Sequence, residues 1–265
     1  MHLLKSLLAN VLVASALATV PMLAQADAMD DINKNGTLTI AVQTQGPPVS
    51  FIDKNGERAG LAIDIARMFA DDMGVKLVIQ DYDWKGLIPA LTSGKADLIA
   101  ADMTPSAKRN MQVLFTNPVF YLETVAFANK DKHFNSWEAL NNPEITVGAT
   151  QASSYADAAK KILPQAQLKE FGGGNAQTVQ AVVSGRADAG ISDRAQIATF
   201  VNATPELEVL DGTMTKEPLS FATRPDSVHL LLALNNYIRL IEIDGRLKER
   251  TDYWWNSTAW EADHK

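Results

Sequence analysis

There is no cysteine among the 265 residues of this chain. That excludes a disulfide framework, a thiol nucleophile and a lipid-modified cysteine at the start, so the fold must rest on its own apolar core. Histidine is nearly as scarce: His2, His133, His229 and His264 stand too far apart to pair at ligand spacing, which argues against a metal site. Cationic side chains are outnumbered, 24 Lys and Arg against 31 Asp and Glu, for a net charge of −7. A surface of that sign suits neither nucleic acid nor an anionic membrane. Gly172-Gly173-Gly174 lacks the Lys-Ser/Thr of a phosphate loop and reads as a turn, and no G-x-S-x-G occurs. No cofactor and no metal are expected.

Long apolar runs are confined to the first residues. Lys5 supplies a positive start, Leu7 to Val20 is apolar apart from Asn10, Ser15 and Thr19, and Ala24-Gln25-Ala26 reads as a cleavage site. Residues 1–26 are therefore expected to be a signal peptide, and the mature chain to begin at Asp27. The product is expected to be exported and soluble.

What is present is a repeat. Ser93-Gly94-Lys95-Ala96-Asp97 recurs as Ser184-Gly185-Arg186-Ala187-Asp188, and each copy carries a further acidic residue five positions on, Asp102 and Asp193. A helical apolar pattern precedes both. The reading is helix, glycine turn, buried strand, and a carboxylate where the strand emerges. Ligands of open parallel sheets sit beyond the carboxyl ends of the strands, so two such units facing each other would aim Asp102 and Asp193 into one cleft. Elsewhere strand and helix patterns alternate, the mark of an α/β fold with parallel sheets. Chain crossings between two lobes are expected near Val125–Lys130 and Glu217–Ala222.

Several segments, in order, resemble the periplasmic amino-acid-binding proteins of ABC importers, extracellular solute-binding protein family 3. They are Gly36 to Val42 followed by Pro47-Pro48, Gly56 to Asp64 (GERAGLAID), Trp84 to Leu91 (WKGLIPAL) with Ser93 to Asp97, and Met103 to Arg109 (MTPSAKR). Phe115-Thr116-Asn117-Pro118 and Ser184 to Asp193 complete the set. The resemblance implies two doubly wound lobes joined by a two-stranded hinge. Lobe 1 is expected from residues 27–127 plus 220–265 and lobe 2 from 128–219. It also implies a monomer in the periplasm that closes on an amino acid and docks on an inner-membrane permease.

The same resemblance assigns candidate binding residues. Arg109 matches the family's carboxylate-binding arginine, whose planar guanidinium gives bidentate contact. Asp193 matches the residue that takes the substrate ammonium; it also reads as a helix cap. Thr104 and Ser153 are candidate hydroxyl donors to the carboxylate; Ser153 lies in Ala152-Ser153-Ser154, where the family more often shows Gly-Thr-Thr, and reads equally as a helix cap. Trp84 matches an aromatic that packs on the substrate side chain, against the alternative of core packing. Asp102 departs from the pattern, which has Gly or Ser there. Two close carboxylates repel unless a cation lies between them. The departure points either to a basic or amide ligand or to an internal salt bridge with a protein cation such as Arg109. Gly46 and Val49 replace an aromatic, which implies a roomier pocket on that side. A cyclohexadienyl dehydratase on the same scaffold is the competing reading, with Asp102 or Glu123 as general acid.

Overall fold

The structure is a computed structural model and describes residues 27–43 and 46–265. The expected signal peptide lies outside the described residues. Among the described residues no helix is long and apolar enough to cross a membrane.

The repeated Ser-Gly-x-Ala-Asp segments perform the same local task twice. Gly94 and Gly185 both adopt left-handed backbone, φ 73° and 70°, a conformation that costs glycine little. Beyond the turn, Asp97 exchanges two hydrogen bonds with Thr39: its carboxylate accepts the Thr39 N–H at 2.9 Å and its N–H donates to the Thr39 carbonyl at 2.8 Å. Asp188 does the same with Thr146, at 2.9 Å and 2.8 Å. The internal aspartates thus pin each new strand beside its parallel neighbour. The strands themselves are fully buried, and Asp102 and Asp193 lie at or one residue from their carboxyl ends.

The chain runs α1 (Ala28–Asn35), β1 (Thr37–Gln43), β2 (Phe51–Ile52), β3 (Arg58–Ala59), α2 (Leu61–Met73), β4 (Lys76–Tyr82), α3 (Leu87–Thr92), β5 (Leu98–Met103), α4 (Ala107–Asn110), β6 (Leu114–Phe115) and β7 (Phe120–Asn129). It continues β8 (Thr146–Thr150), α5 (Ser154–Ile162), β9 (Gln167–Phe171), α6 (Asn175–Val183), β10 (Ala189–Asp193), α7 (Arg194–Ala203), β11 (Leu207–Val209) and β12 (Thr215–Thr223). Helices α8 (Val228–Ile243), α9 (Arg246–Trp254) and α10 (Ala259–His264) close it. The main strand order is β4-β1-β5-β12-β7-β10-β8-β9, with β1, β4 and β5 parallel on one side and β8, β9 and β10 parallel on the other.

Both faces of each half are apolar, as expected where helices cover both sides of a parallel sheet. In β1 and β5, Leu38, Ile40, Val42, Leu98 and Ala100 fill one layer while Ala41, Ile99, Ala101 and Met103 fill the other. In the second half, Ala126, Ala128, Val147, Ala149 and Ile191 face one way, Val125 and Phe127 the other. The halves are joined by β7 and β12. They pair antiparallel over Phe120–Thr124 and Thr215–Leu219, then each exchanges its partner. β12 passes to β5 at Ser220, with an irregularity before Ala222; β7 is shared with β10 from Thr124 to Ala128. The crossing thus begins at Phe120, ahead of the run expected from sequence. The unbroken β-forming stretch from Leu122 to Ala128 carries no signal of the change of partner.

The first half is built from both chain ends. Met29, Ile32, Leu234, Ile238 and Trp260 share one core with β1 and α2. Trp254 packs edge-on to Phe51 at 6.0 Å, and its indole N–H donates to Asp64 Oδ2 at 2.7 Å. The acidic residue of the GERAGLAID segment is therefore a structural anchor for the C-terminal helices. Asp27 ties the two ends together. Its carboxylate accepts the Met29 N–H of α1 at 2.9 Å and, on α8, the N–H groups of His229 at 2.7 Å and Leu230 at 3.4 Å. One side chain caps two helices. Asp27→Ala is expected to cost about 1–2 kcal/mol in urea unfolding of the mature chain, the range of a lost N-cap, with Asp27→Asn recovering most of it. An Asp27→Ala protein as stable as wild type would refute the double cap.

Candidate functional site

β5 and β10 end opposite each other across the hinge, which brings Asp102 and Asp193 into one buried cluster. Asp193 caps α7: its Oδ1 accepts the Gln196 N–H at 2.7 Å, while Oδ2 accepts the Tyr155 hydroxyl at 3.1 Å. Asp102 accepts from Gln196 Nε2 at 2.5 Å across the cleft. Among the described residues neither carboxylate makes an ion pair, so the internal salt bridge to Arg109 is not formed. The electrostatics follow. Burial pushes Asp193 up to about 7, with the Asp102 charge as the next cause. Burial likewise raises Asp102 to about 6, against its own backbone N–H, the Gln196 amide and the distant Arg109 charge. Burial, then Asp193, drives the Tyr155 hydroxyl well above its ordinary value, so it remains a neutral donor.

A small cavity lies between the halves, lined by Gln43, Trp84, Asp102, Thr150, Ser153, Tyr155 and Asn175, with a free volume of about 10 Å³. That is the scale of one water molecule. Of the residues named from sequence, Trp84, Asp102 and Ser153 border this cavity, whereas Asp193 is not among its lining and is reached through Tyr155. Ser153 fills its capping role: its Oγ accepts the Ala156 N–H at 3.2 Å and donates to the Thr150 carbonyl at 2.6 Å. Thr104 donates to Glu217 Oε2 at 2.7 Å. In this conformation neither hydroxyl proton points at the cavity.

Arg109 stands at the mouth. Its guanidinium donates to the Thr104 carbonyl at 2.7 Å and, across the cleft, to the Ala152 carbonyl at 3.0 Å. It lies over the Trp84 ring at 5.8 Å. Burial lowers its pKa, opposed first by Asp157 and Glu217. Its outer side faces a wider crevice of about 520 Å³ with Lys85, Lys108, Asp157, Lys160 and Glu170. The Ala152 carbonyl also accepts the Trp84 indole N–H at 3.3 Å. Ala152 presents it from left-handed backbone, φ 59°, where the family pattern has glycine.

The space vacated by an aromatic at Gly46 is not open. A side-chain carbon there would lie 3.2 Å from Gln43 Oε1 and 3.7 Å from Gln196 Oε1, so amides have filled it. Val49 is turned away into the core. Glu123 lies outside the cavity. It pairs with Arg194 at 2.9 Å and Lys216 at 3.0 Å, and these two hydrogen-bonded cations hold its carboxyl down to about 2, unsuited to general-acid work. Tyr155, Asn175, Gln196 and Glu217 were not anticipated. Tyr155, Asn175 and Gln196 are single neutral polar residues in helical patterns and give no periodic signal, and Glu217 reads as an ordinary strand acid, although Gln43, at the carboxyl end of β1, stands where the strand-end rule points.

The model of the bacterial extracellular solute-binding proteins, family 3, matches residues 38–257. The chain belongs to this family. A relative described as a probable amino-acid ABC transporter-binding protein of Haemophilus influenzae is 25% identical over 94% of this chain and 96% of its own. Cyclohexadienyl dehydratase of Pseudomonas aeruginosa is 23% identical over 96% of this chain and 94% of its own. Among solved structures, the ancestral amino-acid-binding protein AncCDT-1, described as a precursor of cyclohexadienyl dehydratase, superposes with a TM-score of 0.80 at 35% identity, covering 86% of this chain and all of that one. A second structure of it, titled an ancestral cationic amino acid solute-binding protein, gives a TM-score of 0.66. The type II binding-protein fold follows, and family members with a transport role are binding proteins for ABC importers.

Two measurements check the site's physics. From about pH 4, where free carboxylates ionise, the folded protein retains protons that the unfolded chain has released, up to about pH 6 on Asp102 and about pH 7 on Asp193. Raised acid pKa values make folding most favourable below that window and progressively less so through it. Asp102→Asn is expected to flatten the fall in Tm between about pH 4.5 and 7.5; an unchanged slope would refute the coupling. Ala152→Gly is expected to raise stability by roughly 0.5–1 kcal/mol by relieving left-handed strain, read by denaturant unfolding, and a loss would refute the strain.

Proposed function

We propose that this chain captures an amino acid with a cationic or amide side chain between its two lobes and delivers it to an inner-membrane ABC permease. It acts as a monomer in the periplasm once residues 1–26 are removed. The observation that carries the reading is the pair of buried carboxylates, Asp102 and Asp193, one from each lobe, which meet at the cleft with no protein cation between them. Asp193 takes the ligand ammonium and Asp102 the cationic or amide end. Arg109 takes the carboxylate. Two of its five N–H donors are spent on carbonyls in the closed form, which leaves three. Thr104 and Ser153 add hydroxyls at that end once the lobes part, and Trp84 supplies the flat apolar wall. The description of AncCDT-1 as a cationic amino acid binder supports the same choice.

The chain acts by binding, without chemical turnover. Thermal-shift and calorimetric titration with lysine, arginine, glutamine and glutamate test this, since a ligand bound only by the native state raises its Tm. Lysine or arginine is expected to bind, and Arg109→Ala and Asp193→Asn each to weaken it by at least about 30-fold, the lower bound for stranding one partner of a buried charge pair, about 2 kcal/mol. Tighter binding of glutamate than arginine, or turnover of prephenate, would overturn the reading.

A further inference from the structure

Gln196 holds a position that no catalogue of charged residues would single out. It lies in the first turn of α7 and is 1% exposed. Its backbone N–H serves Asp193, and its side chain crosses the cleft to the other carboxylate. The amide is oriented by a relay within its own lobe. Thr150 Oγ1 donates to Asn175 Oδ1 at 2.9 Å, Asn175 Nδ2 donates to Gln196 Oε1 at 2.7 Å, and Gln196 Nε2 donates to Asp102 Oδ2 at 2.5 Å. Each step fixes the direction of the next, because an amide whose oxygen is engaged must offer its NH₂ group at the far side. The relay therefore delivers one neutral N–H to a carboxylate of the opposite lobe. Gly46 leaves room for it. Thr150, Asn175 and Asp102 of this relay also line the cavity between the halves, whose free volume is about 10 Å³.

We propose that Gln196 is a built-in competitor for Asp102: it latches the lobes together without cargo, and it favours groups that bind a carboxylate better than a neutral amide does. The inference rests on the reading of Asp102 as the ligand's side-chain partner. A hydrogen bond from a charged donor to a carboxylate is roughly twice as strong as one from a neutral donor. An ammonium or guanidinium displaces the Gln196 amide with net gain, whereas a glutamine side chain only replaces one amide with another. Gln196 is thus a positioning residue that sets selectivity for cations over amides.

The test uses two readouts. The chain lacks cysteine, so spin labels at Lys95→Cys and Lys161→Cys, both exposed and one on each lobe, report the interlobe distance by pulsed electron resonance. In ligand-free protein the wild-type labels are expected to show a closed population that Gln196→Met reduces at least threefold. Calorimetry is expected to show lysine preferred to glutamine in wild type, and that preference reduced about fivefold or more in Gln196→Met. Should Gln196→Met fail to fold, Asp102→Leu removes the acceptor from the other lobe and must show the same loss of the closed population. An unchanged closed fraction in the folded variant, no closed population in ligand-free wild type, or an unchanged lysine-to-glutamine ratio overturns the proposal. The distance measurement needs no ligand. If wild type binds neither amino acid while the closed population responds to Gln196→Met, the cargo reading fails and the latch alone survives.

Discussion

Two negative charges buried within reach of each other constrain this molecule more than any other pair of groups. Asp102 and Asp193 are placed at the cleft by the ends of two strands, and the surrounding protein offers them only neutral donors: Gln196, Tyr155 and backbone N–H groups. Arg109 is near enough to be felt by Asp102 and too far to pair with it. Withdrawing both carboxylates from water without a counter-ion is costly. The raised pKa values of both groups are the mark of that cost.

The hinge and the rim divide the remaining work. β7 and β12 each pair within both halves, so two strands carry the chain from one core to the other. Charges near the strands are settled locally: Glu123 is neutralised by Arg194 and Lys216, and Glu217 accepts from Thr104, Thr124 and Thr215. At the rim, one carbonyl of the second lobe, that of Ala152, collects donors from both Trp84 and Arg109 of the first. Closure is thus made of a few directional contacts, a form that parts and re-forms more readily than an apolar seam.

Much of this was legible in the residues. The spacing within the repeat located both strands and both terminal carboxylates, and elementary electrostatics anticipated their mutual repulsion. Helix α2 was legible to its last residue because its apolar period is regular and Gly74 stops it. Less legible was how single polar residues are used. Asp97 and Asp188 read as part of a motif, but their service to Thr39 and Thr146 depends on strand neighbours distant in sequence. Gln196 and Asn175 look like ordinary helix positions; Asn175 finds its partners within its own half, and only the meeting of the two halves gives Gln196 its carboxylate. The vacancy implied by Gly46 was real in sequence and closed in three dimensions, because unbranched amides can reach into space that a neighbour gives up.

Asp27 clasps two helix ends that lie about two hundred residues apart in the chain. The consequence concerns the order of assembly. The layers of the second half are drawn from one continuous stretch of chain, Val125 to Leu210. The other half has a beginning it cannot finish, because its core waits for α8 and for the tryptophans of α9 and α10. Contacts so remote along a polymer are slow to close. The half that contributes Arg109 and Asp102 therefore closes its core only once α8, α9 and α10 are in place.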